Sequence, residues 1–248
     1  MMRFDGRVVL VTGASKGIGA ATARLFASLG ARVAVHYRAD RAGADAVLAA
    51  CPGGAAFAAD LGSWDAATRL VDDVQATLGP LDVLVVNHGI WKGAPIDRMT
   101  ERDYDEMLDA NLRGVFALCG AAARAMRPRR RGTLVLVAST AGQRGEADHA
   151  HYAATKGAVI SLTKSLAPEL AADGVRVNCV APGWVDTPMS ADTLGDPAAR
   201  ARVFAAIPLG RVGTPDEIAA PIAFLASDLA GFVTGEIFNV NGGAVLCG

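Results

Sequence analysis

Cysteine is scarce in this chain of 248 residues: Cys51, Cys119, Cys179 and Cys247 lie far apart and form no C-x-x-C pair. That scatter suggests neither a zinc site nor a disulfide framework and suits a reducing compartment. Net charge is equally scarce. Its 24 Lys and Arg against 25 Asp and Glu leave -1, a balance that calls for neither nucleic acid nor an anionic membrane as a partner. Long apolar runs are missing too. The opening MMRFDGRVVLVTGAS turns polar after two methionines, and its apolar run is too short for a signal-peptide core or a membrane span, so a cytoplasmic protein is expected. Without a Pro- or Ser-rich linker, low-complexity tract or repeat, residues 1–248 read as a single domain. At 52% hydrophobic and 20% charged residues, they are able to bury a large core.

Short β-branched runs are present instead, at RVVLVT (7–12), RVAVHY (32–37), LDVLVVN (81–87), GTLVLVAS (132–139), VRVNCVAP (175–182) and EIFNVNG (236–242). Apolar on both faces, they suit strands covered on both sides in a parallel sheet. Helix-like stretches alternate with them over 20–29, 64–78, 102–127, 153–166 and 215–227, which implies right-handed βαβ units and a doubly wound α/β sheet. The strandless stretch at about 188–213 is a candidate lid over the strand ends.

Glycines at 13, 17 and 19 follow the first strand and open a helix. Their spacing suits a tight turn at Gly13, close approach of a pyrophosphate at Gly17 and helix packing at Gly19; the plain alternative is an ordinary strand-to-helix turn. An NAD site wants a carboxylate about 20 residues on, at the end of the second strand. Here stand His36, Tyr37 and Arg38. Lys16 and Arg38 offer two cations to a 2'-phosphate, which favours NADP over NAD, with Asp40 nearby as a counterweight.

Tyr152 and Lys156 are four apart, one turn along the same helical face. Tyrosine titrates at about 10, and lowering it by about 3 units costs roughly 4 kcal/mol. One cation near 4 Å supplies about that at an effective dielectric of 20 and only about 1 kcal/mol in bulk water. The pair has chemical meaning only in a cleft. Ser139 ends a strand, where open parallel sheets bind ligands, and Asn111 lies mid-helix, where an amide points to a bound water or a distorted backbone.

Taken together, TGASKGIG (12–19), VNHG (86–89), Asn111, Ser139, YAATK (152–156), PGWVDT (182–187) and VNGG (240–243) resemble the short-chain dehydrogenase/reductase family over essentially the whole chain. The resemblance implies a Rossmann-like, mainly parallel seven-stranded sheet with helices on both faces. It makes Tyr152 the proton donor and acceptor, Lys156 the group that binds the nicotinamide ribose and lowers the tyrosine pKa, Ser139 the group that polarises the substrate oxygen, and Asn111 a holder of a water relay. For the cofactor it implies Gly13, Ser15, Lys16, Gly17, Ile18, Gly19, Arg38, Asp60 and Leu61 with Asn87 and Gly89. Pro182, Gly183, Val185 and Thr187 join them, Thr187 at the carboxamide. His88 departs from the pattern, standing where a small residue is usual. Closest in character are the 3-oxoacyl-[acyl-carrier-protein] reductase-like members, through PLGRVGTPDEIAAPIAFLASD (208–228) and TGEIFNVNGG, stretches shared with sugar, polyol, steroid and other small-alcohol dehydrogenases. A catalytically silent NADP-binding sensor is the reading from another class. An intact Asn111, Ser139, Tyr152 and Lys156 set speaks against it.

Trp91, Trp184, Gln143, His149 and His151 are candidate substrate contacts. His149, His151, Glu146 and Asp148 match no usual zinc spacing, so no metal is expected. RPRRRG at 127–132 reads as a charged helix end, and in the carrier-protein reductases a basic patch hereabouts can dock the acidic carrier; Asp173 stands where a second basic residue would be expected. Residues 112–126 and 153–166 are apolar around nearly their whole circumference, which suggests burial against another subunit, and the resemblance implies a homotetramer, with a dimer as the milder form.

Overall fold

The computed structural model describes residues 2–247. Seven strands form one sheet: β1 (Val8–Val11), β2 (Arg32–Tyr37), β3 (Ala55–Ala58), β4 (Leu81–Val86), β5 (Gly132–Val137), β6 (Val175–Pro182) and β7 (Ile237–Val240). They run in the order β3-β2-β1-β4-β5-β6-β7, and every pairing is parallel. The strand order reverses between β1 and β4, so the loops after these two strands part and leave a crevice.

The apolar runs are continuous because each strand feeds two layers. Val8 and Leu10 of β1 join a core with Leu84 and Leu134, closed by α3 (Trp64–Leu78), α5 (Gly114–Met126) and α7 (Ala150–Ala171), the last preceded by the short α6 (Ala141–Arg144). Val9 and Val11 join the opposite core with Val83 and Val135, under α1 (Gly17–Ser28), α2 (Arg41–Leu48) and α10 (Pro215–Ala226). Burying one such side chain stabilises by about 1.5–3 kcal/mol.

Several features differ from the expected elements, among them α2, which lies outside the helix-like stretches. β3 was not among the strand-like runs, because AAFA has neither β-branched residues nor full burial; it is an edge strand beside β2. The stretch 102–127 is not one helix. α4 (Glu101–Leu108) passes through a π-helical turn at Asp109–Arg113, with Asn111 in it, before α5 begins. The segment 188–213 holds two short helices, α8 (Ala191–Gly195) and α9 (Pro197–Ala205). No helix among the described residues is long and apolar enough to cross a membrane.

Candidate active site

Where the loops after β1 and β4 diverge, a cavity of about 450 Å³ opens along the C-terminal ends of the strands. The glycine loop forms one wall. Gly13 and Gly17 have φ of +63° and +56°, a region that disfavours other residues. A Cβ on Gly19 would stand 2.3 Å from the Gly13 carbonyl oxygen, so that glycine lets the helix pack onto the loop. Five helices have their first turn capped by a side chain, from Asp40, Ser63, Thr100, Asp196 and Thr214. Helix α1 has no side-chain cap and no acid in its first turn. Its free N–H groups and positive dipole end sit at the cavity wall and fit a pyrophosphate.

Of the residues expected to hold a cofactor, Gly13, Ser15, Lys16, Gly17, Ile18, Arg38, Asp60, Leu61, Asn87, Gly89, Pro182, Gly183, Val185 and Thr187 all line this cavity, as do Tyr152 and Lys156. Gly19 stands behind them. Thr187 packs over Gly17, 3.4 Å from where a Cβ would be. Asp40, two residues after Arg38 in sequence, accepts from Gly43 N at 3.0 Å as the cap of α2, while Lys16 and Arg38 make no ion pair among the described residues.

Under the glycine loop lies a polar cluster that the motifs do not announce. His36 Nδ1 accepts from Gly13 N at 3.0 Å, so the proton is on Nε2, which donates to Ala59 O at 3.1 Å. Thr12 Oγ1 accepts from the backbone N–H groups of Asn87 and His88 at 2.9 and 3.2 Å. That occupies both lone pairs and leaves its own proton for His88 Nδ1 at 2.9 Å. His88 Nε2 is buried without a partner. Burial is the main reason His36 is pushed down to about 4 and His88 to about 3, so both rings are neutral at pH 7. The sequence signs of this cluster are the polar Thr12 and His36 inside otherwise apolar strand ends and His88 in place of a usual small residue.

At the other half of the cavity Ser139 stands two residues past the end of β5, and its Oγ accepts from Ala141 N at 3.1 Å. One turn into α7 stand Tyr152 and Lys156, 8% and 6% exposed. Lys156 Nζ donates to Val137 O at 3.0 Å and lies 5.9 Å from the Tyr152 ring centre. Burial lowers Lys156 to about 8. Burial also raises Tyr152 to about 12; the Ser139 hydroxyl acts in the opposite direction and the Glu146 carboxylate adds to the rise. Desolvation of the phenolate is thus the largest influence on Tyr152.

Asn111 is wholly buried behind the cavity. Its Oδ1 accepts from Ile90 N at 2.7 Å and its Nδ2 donates to Ile90 O at 2.9 Å, which ties the π-helical turn to the loop after β4. Gly89 makes room for this, since a Cβ there would lie 2.9 Å from Asn111 Oδ1 and 3.6 Å from Lys156 Nζ.

The substrate candidates divide. Trp91 and Trp184 line the cavity together with Arg144 and Glu146. Gln143 does not; its amide donates to Asn239 Oδ1 at 2.6 Å. His149 stacks behind Trp91, and His151 is buried, with the Asp103 carboxylate of α4 acting on it. Residues of α7 before Tyr152 turn with the helix, so neighbours in sequence face different walls. Of the expected lid only Pro188, Met189 and Ser190 reach the cavity. The basic run is engaged elsewhere. Arg127 pairs with Glu169 and Asp173, Arg129 with Asp82, and Arg130 donates to Ala172 O.

A family model described as Enoyl-(Acyl carrier protein) reductase matches residues 13–245. A 3-oxoacyl-[acyl-carrier-protein] reductase of Synechocystis sp. is 39% identical, over 99% of this chain and 100% of its own length. The 3beta-hydroxysteroid dehydrogenase 1 of Eggerthella lenta is 41% identical over 98% of this chain and 95% of its own. A crystal structure from Brucella melitensis, described as a short-chain dehydrogenase/reductase and glucose/ribitol dehydrogenase, superposes with a TM-score of 0.92 at 39% identity, covering 99% of both chains.

Proposed function

The chain belongs to the short-chain dehydrogenase/reductase family and is an oxidoreductase acting on CH–OH and C=O groups; on that premise we propose that it uses NADP and works as a 3-oxoacyl-[acyl-carrier-protein] reductase-like enzyme. The observation that carries this reading is the meeting of Ser139, Tyr152 and Lys156 with the uncapped end of α1 in one cavity. NADPH, when bound, supplies the hydride.

The chain's residues supply position and protons. Ser139 polarises and orients the substrate oxygen, and Tyr152 donates its proton to that oxygen in reduction and takes it back in oxidation. With its pKa pushed up to about 12, the Tyr152 hydroxyl stays protonated at neutral pH, which suits the reductive direction. Lys156, at about 8, keeps most of its charge at pH 7 and stands ready for the ribose hydroxyls. The preference for NADP rests on Lys16 and Arg38 at the wall and on the absence of an acid at the end of β2.

A second reading, a dehydrogenase of small hydroxylated alcohols, is favoured by the polar cleft mouth around Glu146 and Arg144. Carrier docking at residues 127–131 would have to displace the ion pairs that Arg127 and Arg129 already make. Assembly as a homotetramer, with a dimer as alternative, is part of the proposal and is consistent with Phe116 of α5 at 43% exposure; the solution mass from light scattering tests it.

Tyr152→Phe is the discriminating variant. Turnover should fall by about 10³-fold while NADPH binding, followed by fluorescence titration, survives. Unchanged turnover would overturn the enzyme reading in favour of a silent NADP-binding protein. For substrate, NADPH oxidation is followed with acetoacetyl thioesters, small diketones, ketosugars and steroid ketones. Inactivity toward the thioesters alone would shift the assignment to the second reading.

A further inference from the structure

Ser139 is held by a short helix whose fastenings lie outside the cavity. Its Oγ accepts from Ala141 N, the first N–H of α6, at 3.1 Å, and its carbonyl oxygen accepts from Gly142 N at 3.0 Å. With one lone pair spent on α6, the hydroxyl keeps the other lone pair and its proton for the reacting groups. It also bears on the Tyr152 phenol, working against the rise of its pKa. A shift of α6 would therefore carry the Ser139 hydroxyl away from Tyr152.

Four residues make too short a helix to hold its own shape, so α6 depends on what it touches. One face lies directly on α7. A Cβ on Gly142 would stand 2.5 Å from the Lys156 carbonyl carbon and 2.6 Å from Gly157 N, so the two backbones meet at the turn of α7 that carries Lys156. The other fastening is a side chain. Gln143 Nε2 donates to Asn239 Oδ1 on β7 at 2.6 Å, across 96 residues of chain. Asn239 Nδ2 donates in turn to Cys247 O at 3.2 Å. That bond orients both amides: Asn239 presents its oxygen to Gln143, and Gln143 presents its nitrogen. Gln143 Oε1 is thereby left buried, with no donor among the described residues. A buried amide with one orphaned end is costlier than an apolar side chain of similar size, so the bond at its other end has to account for this residue.

We propose that Gln143 is a positioning residue for the reaction: its bond to Asn239, together with the backbone contact of Gly142 on α7, sets α6 and so holds the Ser139 hydroxyl in register with Tyr152 and Lys156. Gln143 does not line the cavity. It acts through Ser139, and the inference therefore rests on the role proposed above for that serine.

The test is a double-mutant cycle on the full chain, using NADPH and whichever carbonyl compound of the panel above wild type reduces fastest. Gln143→Leu should lower kcat by about tenfold, with KM and NADPH affinity each within about twofold of wild type. In the Ser139→Ala background the same change should cost nothing further, because the group it positions is gone. Asn239→Leu should repeat the loss from the β7 side, and Asn239→Asp, which keeps an acceptor for Gln143, should restore most of it. If Gln143→Leu does not fold, the two Asn239 variants decide. An undiminished kcat in Gln143→Leu or Asn239→Leu, a loss that falls on NADPH affinity instead, or an equal loss in Ser139→Ala overturns the positioning role. If Ser139→Ala itself turns over like wild type, the role given to Ser139 fails and the positioning role with it, while the oxidoreductase reading stands. If no carbonyl compound is reduced although NADPH binds, that reading fails as well.

Discussion

The two ends of the parallel sheet treat their cations in opposite ways. At the N-terminal ends of the strands, Arg176 donates to Leu225 O, Val233 O, Ser227 O and Thr133 Oγ1, Arg129 pairs with Asp82 at 2.7 Å, and Arg7 pairs with Asp228. At the C-terminal ends, Lys16 and Arg38 make no ion pair among the described residues, and buried Lys156 has only the Val137 carbonyl. One end spends its charge on holding the fold. The other keeps the exposed Lys16 and Arg38 unpaired in solvent and buries the charge of Lys156 without a counter-ion, a stability cost that a bound ligand would offset.

Lys156→Met should separate the two ends most sharply. NADPH affinity and turnover should drop by about 10²-fold or more, yet the protein should hold its stability or gain up to about 3 kcal/mol. The sign follows from burial, which takes Lys156 from 10.5 to about 8: below pH 8 the folded state keeps the proton at a cost the unfolded chain does not carry. The stability difference from wild type should shrink as pH rises from 8 toward 10.5. Urea melts at several pH values check it, and a destabilised variant would break the comparison.

Acid should act on the ligand end next. His36 is pushed from 6.5 down to about 4, so between those values the unfolded chain binds more protons and stability falls as pH falls. The loss from His36 is about 3 kcal/mol by pH 4. Melts of His36→Gln should show a flatter profile across that window.

Arg129→Ala belongs to the structural end. It leaves Asp82, 12% exposed, without its best partner, and should cost about 1–2 kcal/mol by chemical denaturation, while kcat/KM stays within about twofold. The smallest effect is expected for Arg38→Ala: the preference for NADPH over NADH should weaken by about tenfold, read by titration with both, and the melting temperature should not move. If NADH already binds more tightly to wild type, the role given to Arg38 is wrong.

Much of this architecture was legible because it repeats short-range rules. Apolar runs such as VVLV and VLVV needed cover on both faces, and the glycines at 13 and 17 needed a left-handed turn. The exceptions have local causes. β3 is poor in β-forming residues, α2 owes its start to a single cap at Asp40, and a π-helical turn inserted at Asn111 leaves the apolar pattern of 102–127 looking like one helix. Among the site residues, His149 and His151 looked equivalent to Trp91 and Trp184 by proximity to the motifs, and they do not share the cavity wall.

By itself the sequence determined the doubly wound sheet, the place of the glycine loop and the helical pairing of Tyr152 with Lys156, because each rests on residue type and spacing within a few turns of chain. Only the tertiary structure decided the electrostatics. Whether Tyr152 rises or falls from 10 and whether His36 and His88 are charged depend on burial and, for the two histidines, on partners 23 and 76 residues away in sequence. Desolvation is set by everything that surrounds a group, and no stretch of chain carries that information alone.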